Sequence, residues 1–273
     1  MEHPITIKLS EQVIHVPRGM TLFDLREEHK PGADVLILNG APAADNVLLN
    51  EGDAVVLIRR GEIPAKHELE ALMASRHTPG VHEKLKEATV GIAGAGGLGS
   101  AVAVALARSG VGTLILADFD VVEPSNLNRQ QFFVDQIGQP KVEALSANLH
   151  RINPYVNVEP HLVKVTPENI AELFGRADVM VEAFDRADQK AMLAESYGMR
   201  YPERPIVLAT GLAGHMPSNT IRTQKMGRSM VIVGDLVTAA QPGTGLMAPR
   251  VGVAAHHQAN AVLRLLLGED PEC

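Results

Sequence analysis

One cysteine in 273 residues, and that the last, Cys273, excludes an internal disulfide and any zinc cluster built on thiolates. No apolar run approaches the ~20 residues of a membrane-spanning helix. The opening MEHPITIKLS lacks the make-up of a secretory signal, so a cytoplasmic location is the expected default. A basic excess is missing too: the formal net charge of -7 argues against a nucleic-acid partner. There is no internal repeat and no low-complexity tract. What remains is ordinary for a globular chain, 45% apolar and 21% charged, long enough for one large domain or two unequal ones.

The first sixty residues alternate with the period of strands. ITIKL (5–9) and QVIHV (12–16) flank a short turn, MTLFDLREEHK (20–30) has helical spacing, and DVLILNG (34–40) and DAVVLIRRG (53–61) read as two more strands. The order β-β-α-β-β predicts a small sheet crossed by one helix, over residues 1–61. A polar, helix-favouring stretch, EIPAKHELEALMASRH (62–77), opens an expected linker and docking segment over 62–85. From residue 86 to 273 the pattern becomes strand–helix alternation. ATVGIAG (88–94), TLILADFD (113–120), VNVEPHLV (156–163), ADVMVEAFD (177–185) and RPIVLAT (204–210) are strand-like. LGSAVAVALARSG (98–110), KVEALSANLHRIN (141–153) and about 186–200 are helical. Such alternation predicts an α/β, Rossmann-like, mostly parallel sheet with helices on both faces. SNTIRTQKMGRSMVIVGD (218–235) reads as an antiparallel extension, and a long helix covers 249–269.

GIAGAGGLGS (91–100) carries a dinucleotide-type glycine triplet, Gly94, Gly96 and Gly99, with Gly97 as an extra. Gly94 suits a tight turn, Gly96 a close approach of backbone to phosphate, and Gly99 close helix–strand packing. The helix start at Leu98–Ser100 offers N–H groups to an anion, and Asp118, ending the second strand, suits ribose hydroxyls. All this fits NAD as well as ATP. Beyond it, DFDVVEPSNLNRQQFF (118–133) brings Asn126, Asn128 and Arg129, and IGQPK (137–141) brings Lys141. Redox chemistry at a distant nicotinamide has no use for two cations beside the phosphates. Cleaving a triphosphate does, because charge builds on the transferred phosphoryl and on departing pyrophosphate. Pyrophosphate also needs Mg²⁺, and Asp185, closing the fourth parallel strand, is placed to hold it.

GAGGLGS, DFDVVEPSNLNRQ, GQPKVEAL, Asp185 and APRVGVAAHHQAN together resemble the ubiquitin-activating-enzyme-like superfamily, over about residues 76–268. RHTPGVHEKLK and VEAFDRADQKA are most similar to its ThiF group, the shorter second type, which adenylates sulfur carriers in thiamin synthesis. The resemblance implies ATP-Mg²⁺-dependent adenylation of the C-terminal carboxylate of a small β-grasp sulfur-carrier protein ending in Gly-Gly, with release of pyrophosphate, by a homodimer. It implies that Gly94, Gly96, Gly97 and Gly99 cradle the phosphates, with Asp118 and Asp120 in the nucleotide site. Asn126, Arg129 and Lys141 would contact the phosphate chain, Asp185 would hold Mg²⁺, and Arg76 would reach into the neighbouring subunit's site.

The β-β-α-β-β unit resembles the carrier itself, notably in LNGAPAADNVLLNEGDAVVLI (38–58), but Gly61 is followed by Glu62 and leaves no carboxylate to activate. It reads as a fused, non-reactive module that braces the dimer or competes for the docking surface. No zinc is expected, since the paired CxxC motifs common in the superfamily are missing. Nor does GLAGHMPSNTIRTQKMGRSM (211–230) hold the cysteine that many members use after this strand. Cys273 sits on an acidic tail, which disfavours the thiolate. Three readings stay open: an adenylyltransferase that stops at the acyl-adenylate, a nucleotide-holding scaffold for a carrier, and adenylation of another substrate such as a modified tRNA nucleoside.

Overall fold

The computed structural model describes residues 3–75 and 77–272; Arg76 and Cys273, both singled out above, lie outside the described residues. The chain divides into two compact units, Met1–Thr78 and Pro79–Cys273.

In the first unit β1 (Ile5–Leu9) and β2 (Gln12–Val16) form an antiparallel hairpin. Its two turn residues, Ser10 and Glu11, have φ of 47° and 71°, as a two-residue hairpin with right-handed twist requires. Thr21 and Asp24 close a reciprocal capping box at the start of α1 (Leu22–His29), whose Leu22 and Leu25 are fully buried. β3 (Val35–Leu38) turns into the two-residue β4 (Ala41–Pro42), and β5 (Ala54–Ile58) enters between β1 and β3. The order β2-β1-β5-β3-β4, parallel only between β1 and β5, is a β-grasp sheet. β4 is one strand more than the alternation predicts, because two residues cannot show a period. α2 (Lys66–Ala74) goes with this unit, where Lys30 pairs with Glu62 (3.2 Å) and Glu68 (3.5 Å).

The second unit opens with the short α3 (Val81–Leu85) and then β6 (Thr89–Ala93), α4 (Gly97–Arg108) and β7 (Thr113–Asp118). α5 (Lys141–Ile152), β8 (Asn157–Leu162), α6 (Ile170–Phe174) and β9 (Val179–Glu182) follow. The chain ends through α7 (Ala187–Arg200), β10 (Ile206–Ala209), β11 (Arg222–Met226), β12 (Met230–Gly234) and α8 (Ala248–Leu267). The seven strands lie in the order β11-β12-β10-β9-β6-β7-β8. Only the β11–β12 pair is antiparallel; β12 itself runs parallel to β10, so the extension expected at 218–235 contributes its second half to the parallel sheet. Both faces are covered, and the strand period divides them. Leu114 and Leu116 face the layer of α4, α5 and α8, while Ile115 and Ala117 face that of α6 and α7.

The topology places the site. From β6 the chain winds outward through β7 to β8, then returns to the other side of β6 as β9, β10 and β12. The strand direction of winding reverses between β6 and β9, and the crevice beyond their C-terminal ends is where an open α/β sheet takes its ligand.

Candidate active site

The loop after β6 is built around two positions that exclude a side chain. Gly94 has φ of +98°, and a Cβ there would stand 2.7 Å from the Ala183 carbonyl on the neighbouring strand end. A Cβ on Gly99 would lie 1.8 Å from the carbonyl of Gly94. The helix starts one residue earlier than LGS suggests, at Gly97, because extended Gly96 serves as its N-cap. Ser100 is therefore no anion donor: its N–H (2.9 Å) and its hydroxyl (2.6 Å) both go to the Gly96 carbonyl. The free N–H groups belong to Gly97, Leu98 and Gly99, with the helix dipole behind them. Gly99→Ala is expected to abolish nucleotide binding, since the backbone must open by more than an ångström. Calorimetric ATP titration of the purified variant checks this, and wild-type affinity would refute it.

Charged groups line the same crevice, a cavity of about 680 Å³ bordered by all the predicted site residues among those described except Gly99. Asp118 ties the loop to β7: its carboxylate accepts the Ala95 N–H (2.6 Å) and the Asp120 N–H (2.8 Å). Burial pushes the Asp118 carboxyl above its ordinary range, against the pull of those two bonds and of Lys141. Lys141, 7% exposed at the start of α5, donates to Asp120 at 2.8 Å. Asn126 spends its side-chain carbonyl on the Glu123 N–H (3.0 Å), which leaves its NH₂ group for a ligand. Arg129 is braced by Asn128 (2.8 Å) and the Ser125 carbonyl (3.3 Å), both through Nη1. Its Nε is a buried donor with no protein partner, as the side-chain carbonyl of neighbouring Gln130 is a buried acceptor with none. A buried donor left open beside a lysine and a helix N-terminus fits an anionic ligand.

Asp185 departs from expectation. β9 stops at Glu182, and Asp185 stands three residues out, exposed in the loop that leads to α7. The strand ends early because Glu182 turns back to accept the Phe184 N–H at 2.7 Å. Glu182 is completely buried, and Lys190 reaches both its oxygens at 3.0 Å and the Ala209 carbonyl at 3.0 Å. Burial pushes the Glu182 carboxyl up, opposed first by the Lys190 charge. This pair supports the loop carrying Asp185, and Lys190 itself lines the cavity. The sequence contained a signal for it: an acid closing the apolar run VMVE must find a buried partner. Among the described residues no cluster of three His, Cys, Asp or Glu side chains could cage a metal ion. Mg²⁺ asks less of a protein, one or two carboxylates with the rest from phosphates and water, and Asp185 offers one at the cavity edge.

Comparison with known proteins agrees with this geometry. Residues 70–273 match the ThiF family, and residues 5–61 match the ThiS-like ubiquitin family. The chain is 34% identical over 195 residues to the molybdopterin-synthase adenylyltransferase of Escherichia coli, covering 68% of this chain and 76% of that one. It is 35% identical over 201 residues to the sulfur carrier protein ThiS adenylyltransferase of Bacillus subtilis, covering 71% of this chain and 59% of the relative. Among solved structures, the tRNA N6-threonylcarbamoyladenosine dehydratase TcdA of E. coli shares the fold, with a TM-score of 0.65 at 23% identity over 72% of this chain and 92% of that one. E. coli MccB with ATP gives 0.55 at 26% identity, over 70% of this chain and 59% of that one. A glycine loop, a cation wall and a Rossmann-like sheet, preceded in the chain by a β-grasp unit, thus have one common account: the chain belongs to the ThiF family.

Proposed function

We propose that the second unit binds ATP and uses it to adenylate the C-terminal carboxylate of a small β-grasp sulfur-carrier protein. One observation carries this reading: Arg129, Lys141, Asp185 and the N-terminus of α4 all border one cavity at the strand ends. The named relatives, both adenylyltransferases, support it. In the reaction a carboxylate oxygen attacks the α-phosphorus, and the bond from that phosphorus to the bridging oxygen breaks. Its electron pair leaves on pyrophosphate, yielding acyl-adenylate. The N–H groups of Gly97 to Gly99 hold phosphate oxygens. Arg129 binds them through its forked donors and Lys141 as a point charge, each opposing the negative charge that grows on the leaving group. Asp118 and Asp120 stand where the ribose hydroxyls belong. Asp185 would hold Mg²⁺, which would supply further countercharge to the phosphates.

The first unit is no substrate for this reaction, because Gly61 continues into Glu62. The carrier is a separate protein of the thiamin type, a choice supported by the ThiS-like match of the fused module. The enzyme acts as a homodimer, as the resemblance implies, and in the cytoplasm, the default for a sequence opening without the make-up of a secretory signal. Exchange of labelled pyrophosphate into ATP tests the reading. Exchange is expected with a carrier ending in Gly-Gly and not with one shortened by its last glycine. ATP should bind calorimetrically and NAD should not. Tight NAD binding without ATP binding would replace activation by redox chemistry, and ATP binding without exchange would leave a nucleotide-holding scaffold.

A further inference from the structure

Arg250 lies in the first turn of α8 and is 4% exposed. A cation there opposes the positive end of the helix dipole, and burying it costs solvation. Helix stability therefore does not explain its presence. Its partners do. Nη1 donates to the carbonyls of Met216 (2.9 Å) and Pro217 (3.0 Å), and Nη2 donates to Asp235 (2.6 Å) and Thr220 (3.1 Å). These partners belong to two loops, 210–220 after β10 and 235–247 after β12. Asp235 carries the connection onward, accepting the N–H groups of Val237 and Thr238 (2.8 Å each) and the Thr238 hydroxyl (2.6 Å). The backbone adds Asp235 N–H to Gly211 carbonyl (2.9 Å) and Ala213 N–H to Thr238 carbonyl (3.1 Å). The fit is close: a Cβ on Gly211 would stand 2.2 Å from the Asp235 carboxylate. The same latch holds Leu236 at φ +63°, a conformation unfavourable for a leucine, with its side chain half exposed.

Both loops reach the cavity, through Thr210–Ala213 and Thr238–Ala240. This wall holds no charged side chain and mostly small ones. The triphosphate is matched by the cationic wall of Arg129 and Lys141, so the uncharged wall is left for the acyl substrate. An extended tail of glycines would lie against it with its carboxylate directed at the α-phosphate. We propose that Arg250 is a positioning residue: it latches the two loops so that the wall receiving the carrier's tail is formed before the carrier arrives. The inference rests on the adenylation reading above and adds what sets the affinity for the second substrate.

The test compares wild type with Arg250→Met, Arg250→Lys and Asp235→Asn, using ATP and a ThiS-type carrier ending in Gly-Gly. In Arg250→Met the ATP Kd should stay within about twofold, while kcat/KM for the carrier falls about tenfold or more, mainly through KM. Amides of residues 236–240 should exchange with solvent about tenfold faster or more, being freed from the latch. Arg250→Lys should restore only part, since a single ammonium cannot serve both loops at once. If Arg250→Met does not fold, Asp235→Asn carries the same expectations in weaker form. Unchanged amide exchange and carrier KM would overturn the latch. So would equal loss of ATP and carrier affinity together with a lowered Tm, the mark of mere packing. If wild type shows no exchange with any carrier, the adenylation reading falls, while the latch is still decided by the amides.

Discussion

Arg129→Ala is expected to lower carrier-dependent ATP–pyrophosphate exchange by about 10²-fold or more, with the fold intact. The side chain is only half buried, and its braces are local, Asn128 and the Ser125 carbonyl, so truncation removes little packing. What it does remove is the open Nε donor and a positive charge at the border of the cavity. Asp185→Ala should behave alike, since the residue is exposed in a loop and its electrostatic partner there is the neighbouring, also exposed Arg186. Arg129→Lys should recover a minor share, because a point charge cannot bind two phosphate oxygens bidentately. Exchange rates read beside thermal melts decide it. Near-normal exchange in a folded variant would remove that residue from the mechanism.

Lys190→Met should be the most destabilising single change near the site, at about 3–5 kcal/mol. It strands Glu182, which is completely buried and has Lys190 as its countercharge. The sign of the pH dependence follows from Glu182. Its carboxyl is raised in the folded state, so the folded protein binds a proton that the unfolded chain has released. Stability from this group is then highest at low pH and falls as pH rises from the ordinary glutamate value towards the folded one. Without Lys190 the folded value rises further. The variant should therefore lose less stability, relative to wild type, at pH 5 than at pH 8. Urea titrations at both pH values give the comparison, and an equal loss at each would mean that Glu182 is not ionised in the native protein. Glu182→Gln in the Lys190→Met background should recover part of the loss at pH 8.

Much of this was readable from residue order because the period and the glycines act locally. Strand–helix alternation from residue 88 predicts the parallel sheet, and Gly94, Gly96, Arg129 and Lys141, singled out in the sequence, line one cavity at its strand ends. The parts that were hidden depend on contacts between distant residues. Glu182 and Lys190 are eight residues apart across a turn, and the acid that closes VMVE does not say which cation meets it; Asp185 was read as the strand end in its place. Arg250 and Asp235 meet only because α8 returns to the loop after β12. The five-residue α6 is too short to show a period, and β12 reads as half of a hairpin although its other edge pairs in parallel with β10.

The most direct measurement is chemical trapping of the activated carboxylate. Protein, ATP, Mg²⁺ and a Gly-Gly-ended carrier are incubated with hydroxylamine, and the carrier is examined by mass spectrometry alongside nucleotide analysis. The expected result is a hydroxamate on the carrier's terminal glycine, formed in step with AMP and pyrophosphate and lost in Arg129→Ala. An unmodified carrier, with ATP either untouched or converted to ADP and phosphate, would contradict adenylation.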